Sequence, residues 1–174
     1  MILNLNKKLN ITLCGMMGSG KSTIGKLLAN KINYNFIDID KLIEKKTNKS
    51  INAIFEDYGE IYFRDLEEKI TIDTLNCKKT IVSLGGGAVI NNLIRNYIKK
   101  NSYNIYLKVE YKVLEKRLKY SKNRPLINNI NFKNNLIDLI KKRENLYQKA
   151  DLIIKNEKSI NDTVNNILKK ITHE

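Results

Sequence analysis

The sequence predicts an α/β protein, a three-layer α/β/α arrangement with a parallel sheet between two layers of helices. Three observations carry that expectation. Short apolar runs of strand character alternate with longer segments whose apolar residues recur at helical spacing, the pattern of strands joined by right-handed crossover helices. Six of the eight glycines fall in two clusters, at 15, 18 and 20 and at 85 to 87, each where an apolar run ends. Asp38 and Asp40 follow a third such run. All three polar features therefore gather at strand ends, where open α/β sheets bind their ligands.

Taken in order, "LNITLC" (9–14) reads as a strand entering "GMMGSGKS", and "KSTIGKLLANKI" reads as a helix with Ile24, Leu27, Leu28 and Ile32 on one face. "YNFID" is the second strand, and its two-residue period would send Asp38 and Asp40 out on the same side. Residues 40–77 read as mostly helical, broken near "TNKS" and again at Gly59. "TIVSL" is a buried-type strand before Gly85, Gly86 and Gly87. A helix over 90–100, the strand "YNIYLKV", a helix over 111–119 and a polar segment over 120–132 come next. A helix over 133–149, the strand "ADLIIK" and a C-terminal helix complete the chain. With no repeat and no long linker, residues 1–174 read as a single domain, within the ordinary size range.

The net charge of +14 invites a nucleic-acid reading. The lysines are spread along the chain, however, and no basic run is interleaved with aromatics. With 27 Lys, 25 Asn and 26 Ile against 5 Arg and 1 Pro, the charge reflects a usage bias, and no nucleic-acid partner is expected. That bias makes Arg64, Arg95, Arg117, Arg124 and Arg143 informative, along with Pro125. No apolar run approaches a membrane span, and "MILNLNKKLNITLCG" lacks the apolar core of a secretory signal. Cys14 and Cys77 have no metal-ligand spacing and read as reduced thiols of a cytoplasmic protein.

"GMMGSGKS" satisfies G-x-x-x-x-G-K-[ST] in full, between a strand and an amphipathic helix. The glycines let backbone N–H groups turn inward around phosphate oxygens, Lys21 reaches the β and γ phosphates, and the Ser22 hydroxyl can take Mg²⁺. "LGGGAV" reads either as a tight turn or, as favoured beside a phosphate loop, as a floor of backbone donors. On the 133–149 helix Leu136, Leu139, Ile140, Leu146, Tyr147 and Ala150 form an apolar stripe with Arg143 in its middle. A buried guanidinium needs an anion, either an internal carboxylate or a ligand. Arg64, with Glu67 at i+3 and Glu68 at i+4, is either a surface helical pair or a group that Glu67 aims at an anion. Phe55 and Phe63 read as core. Arg124 lies either on a mobile lid over 120–132 or on an ordinary basic loop. Arg95 reads as surface, and His173 as inert.

"GMMGSGKST", "DID", "FRDLE", "SLGGGA", "RPL" and "RENLY" together, in this order and spacing from about residue 8 to 170, resemble the shikimate kinases. The resemblance implies a phosphate-loop kinase core with a five-stranded parallel sheet in the order 2-3-1-4-5, a substrate-binding segment over about 38–66 and a lid. It implies transfer of the ATP γ-phosphate to the 3-hydroxyl of shikimate, with Mg²⁺, in chorismate biosynthesis, by a cytoplasmic monomer. ATP would be held by Gly15, Gly18, Ser19, Gly20, Lys21, Ser22, Thr23, Arg117 and Arg124. Shikimate would be held by Asp40, Arg64, Gly86, Gly87 and Arg143. Lys21, Asp40 and Arg124 would serve catalysis, while Ser22 and Asp38 would serve the metal, Asp38 through water. Two departures stand out: Leu84 precedes the triple glycine where many members carry a small hydroxyl residue, with Ser83 one position earlier, and "KNEKSI" lacks a proline some members have. Rival readings are a gluconate or nucleotide kinase on the same core, and a non-catalytic sensor that would have lost Lys21, Asp40 or Arg124.

Overall fold

The computed structural model describes residues 3–119, 132–156 and 159–172. Arg124, Pro125 and the expected lid apart from Phe132 lie outside those residues, as does His173. Strands β1 (Asn10–Cys14), β2 (Asn35–Asp38), β3 (Thr80–Ser83), β4 (Ser102–Lys108) and β5 (Leu152–Lys155) form one parallel sheet in the order β2-β3-β1-β4-β5. Around it run α1 (Lys21–Ile32), α2 (Ile39–Thr47), α3 (Ile51–Leu75), α4 (Asn92–Asn101), α5 (Tyr111–Lys119), α6 (Phe132–Tyr147) and α7 (Ile160–Ile171). None of the described helices is long and apolar enough to cross a membrane.

The strands are apolar on both sides because both faces are covered. Ile11, Leu13, Ile81, Ile105 and Ile154 pack on one face beneath Ile24 and Leu28 of α1 and Val164 and Ile167 of α7. Cys14, Val82 and Tyr106 pack on the other, against Ile39, Phe63, Ile70, Ile94 and Leu136 from α2, α3, α4 and α6. Each fully buried Ile or Leu contributes about 1.5–3 kcal/mol. That burial holds β1 between β3 and β4 and brings three strand ends together: Cys14 before the phosphate loop, Asp38 on β2 and Ser83 before the glycines.

Three local details shape the elements around the site. β2 stops at Asp38, whose carboxylate caps α2 by accepting from the Lys41 N–H, so Asp40 lies in a first helical turn. The strand alternation expected to place the two acids side by side therefore does not operate; a helix cap does it. In α3 the expected break falls at Gly59, with φ 82° and ψ 173°, a conformation left essentially to glycine. The helix expected over about 90–100 is α4, Asn92–Asn101. A 3-10 turn, Ala88–Ile90, precedes Asn91, whose side chain accepts from the N–H groups of Leu93 and Ile94 and starts α4.

Candidate active site

Gly15 to Gly20 leave the buried end of β1 with positive φ at all three glycines and lead into α1, whose positive end faces the crevice. Lys21 Nζ donates to the carbonyl oxygens of Gly15 and Met16 at 2.9 and 3.0 Å, which holds the ammonium across the loop. The Ser22 hydroxyl donates to Asp38 Oδ2. A cavity of about 430 Å³ opens here, lined by Gly18, Lys21, Ser22, Thr23, Arg117 and Asn156 among others. Gly15 and Ser19 belong to the loop but are not among its lining residues, and Ser19 is fully buried. Ser83 and Leu84 both reach the cavity wall. At its far end Arg117 of α5 donates to the carbonyl oxygens of Gly18 and Asn156 at 3.2 and 3.3 Å.

A second cavity, of about 550 Å³, adjoins the first and is lined by Asp40, Phe55, Phe63, Arg64, Gly87 and Arg143 with others. Met17, Ser22, Asp38, Asp40 and Gly86 line both. Phe63 is core as expected, 4% exposed, and Phe55 packs against that core; the two rings, centroids 4.7 Å apart, also form an apolar wall of this cavity. The glycines here are set by close approach. A Cβ on Gly87 would stand 2.7 Å from Arg64 Nη1, and one on Gly85 would meet the Glu67 and Asp40 carboxylates. A side chain at either position would displace the charged groups.

Arg64 is a partner of two carboxylates, only one of them anticipated. Its Nη1 donates to Glu67 Oε2 at 2.6 Å, and its Nη2 and Nε donate to Glu60 Oε1 at 3.0 and 3.2 Å. Glu68 faces elsewhere and accepts from Asn91 at 2.5 Å. The pair with Glu67 is no surface bridge, since Glu67 is 2% exposed. Burial pushes its carboxyl above the ordinary range, Arg64 pulls it back, Asp40 pushes it further up, and the more distant Arg143 charge pulls it down again. Glu67 Oε1 has no hydrogen-bond partner among the described residues. A carboxyl raised in the folded state stabilises fully below its unfolded value, and that contribution is lost as pH rises through the folded one. The stability of Glu67→Gln is therefore expected to fall less steeply from about pH 4.5 upward, the ordinary glutamate value, than that of the unsubstituted protein. Parallel thermal melts across that range check it; equal slopes in the two proteins refute it.

Arg143 lies 3% exposed beneath the glycine floor, with Nη1 3.5 Å from where a Cβ on Gly86 would stand. Of the two readings, the internal salt bridge is not observed: no described carboxylate pairs with it, and its Nε has no partner among the described residues. Of the described residues expected at the site, all line one or both cavities except Gly15 and Ser19, which belong to the loop behind the wall; Arg124 lies outside the described residues. Sequence reasoning missed three supports. Asn156, 3% exposed, donates to the Ser19 carbonyl at 2.6 Å and accepts from Thr163 at 2.9 Å, bracing the phosphate loop from β5 and α7. Glu60 holds Arg64 from its other side. Arg95, expected as surface, donates to the carbonyl oxygens of Val89 and Ile90, both at 2.7 Å, and ties down the turn after the glycines.

The family model for shikimate kinase matches residues 17–172. The chain belongs to the shikimate kinase family. Membership makes it an ATP-dependent kinase, a phosphotransferase. A shikimate kinase of Sulfurihydrogenibium sp. (strain YO3AOP1) is 44% identical over 165 residues, covering 93% of this chain and 97% of the relative. The structure of shikimate kinase from Acinetobacter baumannii in complex with shikimate superposes with a TM-score of 0.91 at 34% identity, covering 94% of this chain and 93% of that one. A gluconokinase from Sinorhizobium meliloti 1021 gives a TM-score of 0.60 at 15% identity, covering 92% and 89%, and shares the fold alone. The expected sheet order and family assignment both hold.

Proposed function

We propose that this shikimate kinase family member transfers the γ-phosphate of ATP to the 3-hydroxyl of shikimate, giving shikimate 3-phosphate and ADP. The observation that carries the reading is a shared wall. Ser22, Asp38, Asp40 and Gly86 line both cavities, so a nucleotide at the phosphate loop ends where an acceptor in the second cavity begins. Two guanidinium groups, Arg64 and Arg143, line the acceptor cavity and suit a carboxylate. The apolar wall of Phe55 and Phe63 suits a carbocycle.

Lys21 and the loop amides neutralise the phosphates, and Thr23 extends that contact at the start of α1. Arg117 covers the adenine; Arg124, outside the described residues, would be the cation that serves the transferring phosphoryl group, as in the family it resembles. Ser22 and Asp38 present hard oxygens side by side, while no three of Asp, Glu, His and Cys cluster among the described residues. That set fits a Mg²⁺ completed by phosphate and water. When bound, the ion would neutralise phosphate charge. Asp40 accepts the proton of the attacking hydroxyl, and Gly86 and Gly87 donate backbone N–H groups. The two free cysteines, buried Cys14 and exposed Cys77, accord with a reducing cytoplasm.

The test is ADP release from Mg-ATP with shikimate, gluconate or nucleoside monophosphates as acceptor. Release that depends on shikimate alone is expected. Equal or greater release with gluconate would assign the two arginines to another carboxylate and overturn the reading.

A further inference from the structure

The acceptor floor has unassigned support from below. Tyr147, fully buried at the end of α6, donates its hydroxyl to the Gly86 carbonyl oxygen at 2.5 Å. Met16 Sδ lies 3.7 Å from the same hydroxyl, so the single proton goes to the nearer oxygen. The ring stacks on Tyr106 with centroids 5.1 Å apart. Tyr106 donates to Glu144 at 2.6 Å, and Glu144 also accepts from Lys108 at 2.9 Å, which ties α6 to β4 within the turn that carries Arg143. Burial pushes the Tyr147 hydroxyl above its ordinary range, so it remains a protonated donor at any working pH.

The consequence follows from peptide geometry. The described chain has no cis peptide bond, and in a planar trans unit the carbonyl and the next N–H point in opposite directions. Holding the Gly86 carbonyl toward Tyr147 therefore turns the Gly87 N–H away from it. Gly87 lines the acceptor cavity, and no described residue accepts from its N–H. A donor aimed in advance at the ligand costs no reorganisation when the ligand arrives. The Ala88 N–H donates to the Gly85 carbonyl at 3.1 Å and closes a turn around this peptide. With glycine at both central positions, such a turn accepts either orientation of its central peptide, so the ends are held and the choice of face is left open.

We propose that Tyr147 is a positioning residue for the acceptor: its hydroxyl sets the orientation of the Gly86–Gly87 peptide, and so aims the Gly87 N–H into the acceptor cavity. Arg143 and Tyr147, four residues apart on α6, then present the acceptor's cation and its backbone donor as one unit. The proposal rests on shikimate being the acceptor, and wild-type turnover with shikimate tests that premise separately.

Tyr147→Phe keeps the ring and removes the proton. Its KM for shikimate is expected to rise roughly tenfold, with the KM for ATP unchanged. Ile98→Val, a core substitution on α4, controls for lost stability: it is expected to lower Tm while leaving both constants alone. A Tyr147→Phe enzyme with an unchanged shikimate KM, or with both KM values raised alike, overturns the proposal. The unsubstituted protein gives a second reading that needs no variant to fold. The Gly86 carbonyl ¹³C resonance is expected to keep its hydrogen-bonded position when shikimate is added, because the floor is set beforehand. A large shift on addition would mean that the ligand turns the peptide, and would overturn the proposal equally.

Discussion

Asp40→Asn is expected to abolish shikimate-dependent ADP release while ATP still binds. The substitution is nearly isosteric, so the wall shared by the two cavities keeps its shape. What is lost is the carboxylate beside the glycine floor, where Asp40 Oδ1 lies 2.9 Å from a Cβ position on Gly85. Loss of a general base typically costs 10²- to 10⁴-fold in turnover, roughly the scale expected here. The phosphate loop and Arg117 are untouched, so nucleotide affinity should hold, as titration with a fluorescent ATP analogue would measure. Asp38→Asn should behave differently, raising the Mg²⁺ needed for half-maximal rate, because Asp38 stands with the Ser22 hydroxyl. An active Asp40→Asn enzyme would defeat the assignment of the two acids.

Arg143→Leu is expected to separate binding from stability. A guanidinium 3% exposed has no described carboxylate within ion-pair distance and only the longer-range attraction of Glu67, which Arg64 already pairs, so most of its demand for an anion is left to a ligand. Leucine continues the apolar stripe of Leu136 and Tyr147, so Tm should hold or rise, as when other buried charges give way to apolar groups. Affinity for shikimate should fall by roughly 100-fold or more, the scale of leaving one charge of a buried pair alone. Thermal melts and shikimate titration on the same sample decide it. A Tm collapse with affinity retained would mean that Arg143 serves an internal partner instead.

The order of the elements was legible because each rests on local rules. The phosphate loop needs its glycines, lysine and serine at fixed spacing within one turn, and Gly59 marks its break because no other residue tolerates that backbone. Arg143 was legible as a buried cation because helical period alone places it inside an apolar stripe. The pairing of Arg64 was half legible. Glu67 sits one turn on, but Glu60 competes with Glu68 at equal spacing, and only the side-chain geometry gives Glu60 to Arg64 and Glu68 to Asn91.

The sequence by itself determined the α/β class, the phosphate loop and, through motif order, the kinase family. Those are constraints of neighbouring residues. The tertiary structure alone decided that Asp38 and Asp40 meet through a helix cap, that Phe55 and Phe63 wall the acceptor cavity, and that Asn156, Arg95 and Tyr147 hold the loops that bind. Asn156 meets Ser19 across 137 positions, and Tyr147 meets Gly86 across 61. Hydrogen bonds between residues that far apart leave no period in the chain; the packing of the sheet brings them within reach.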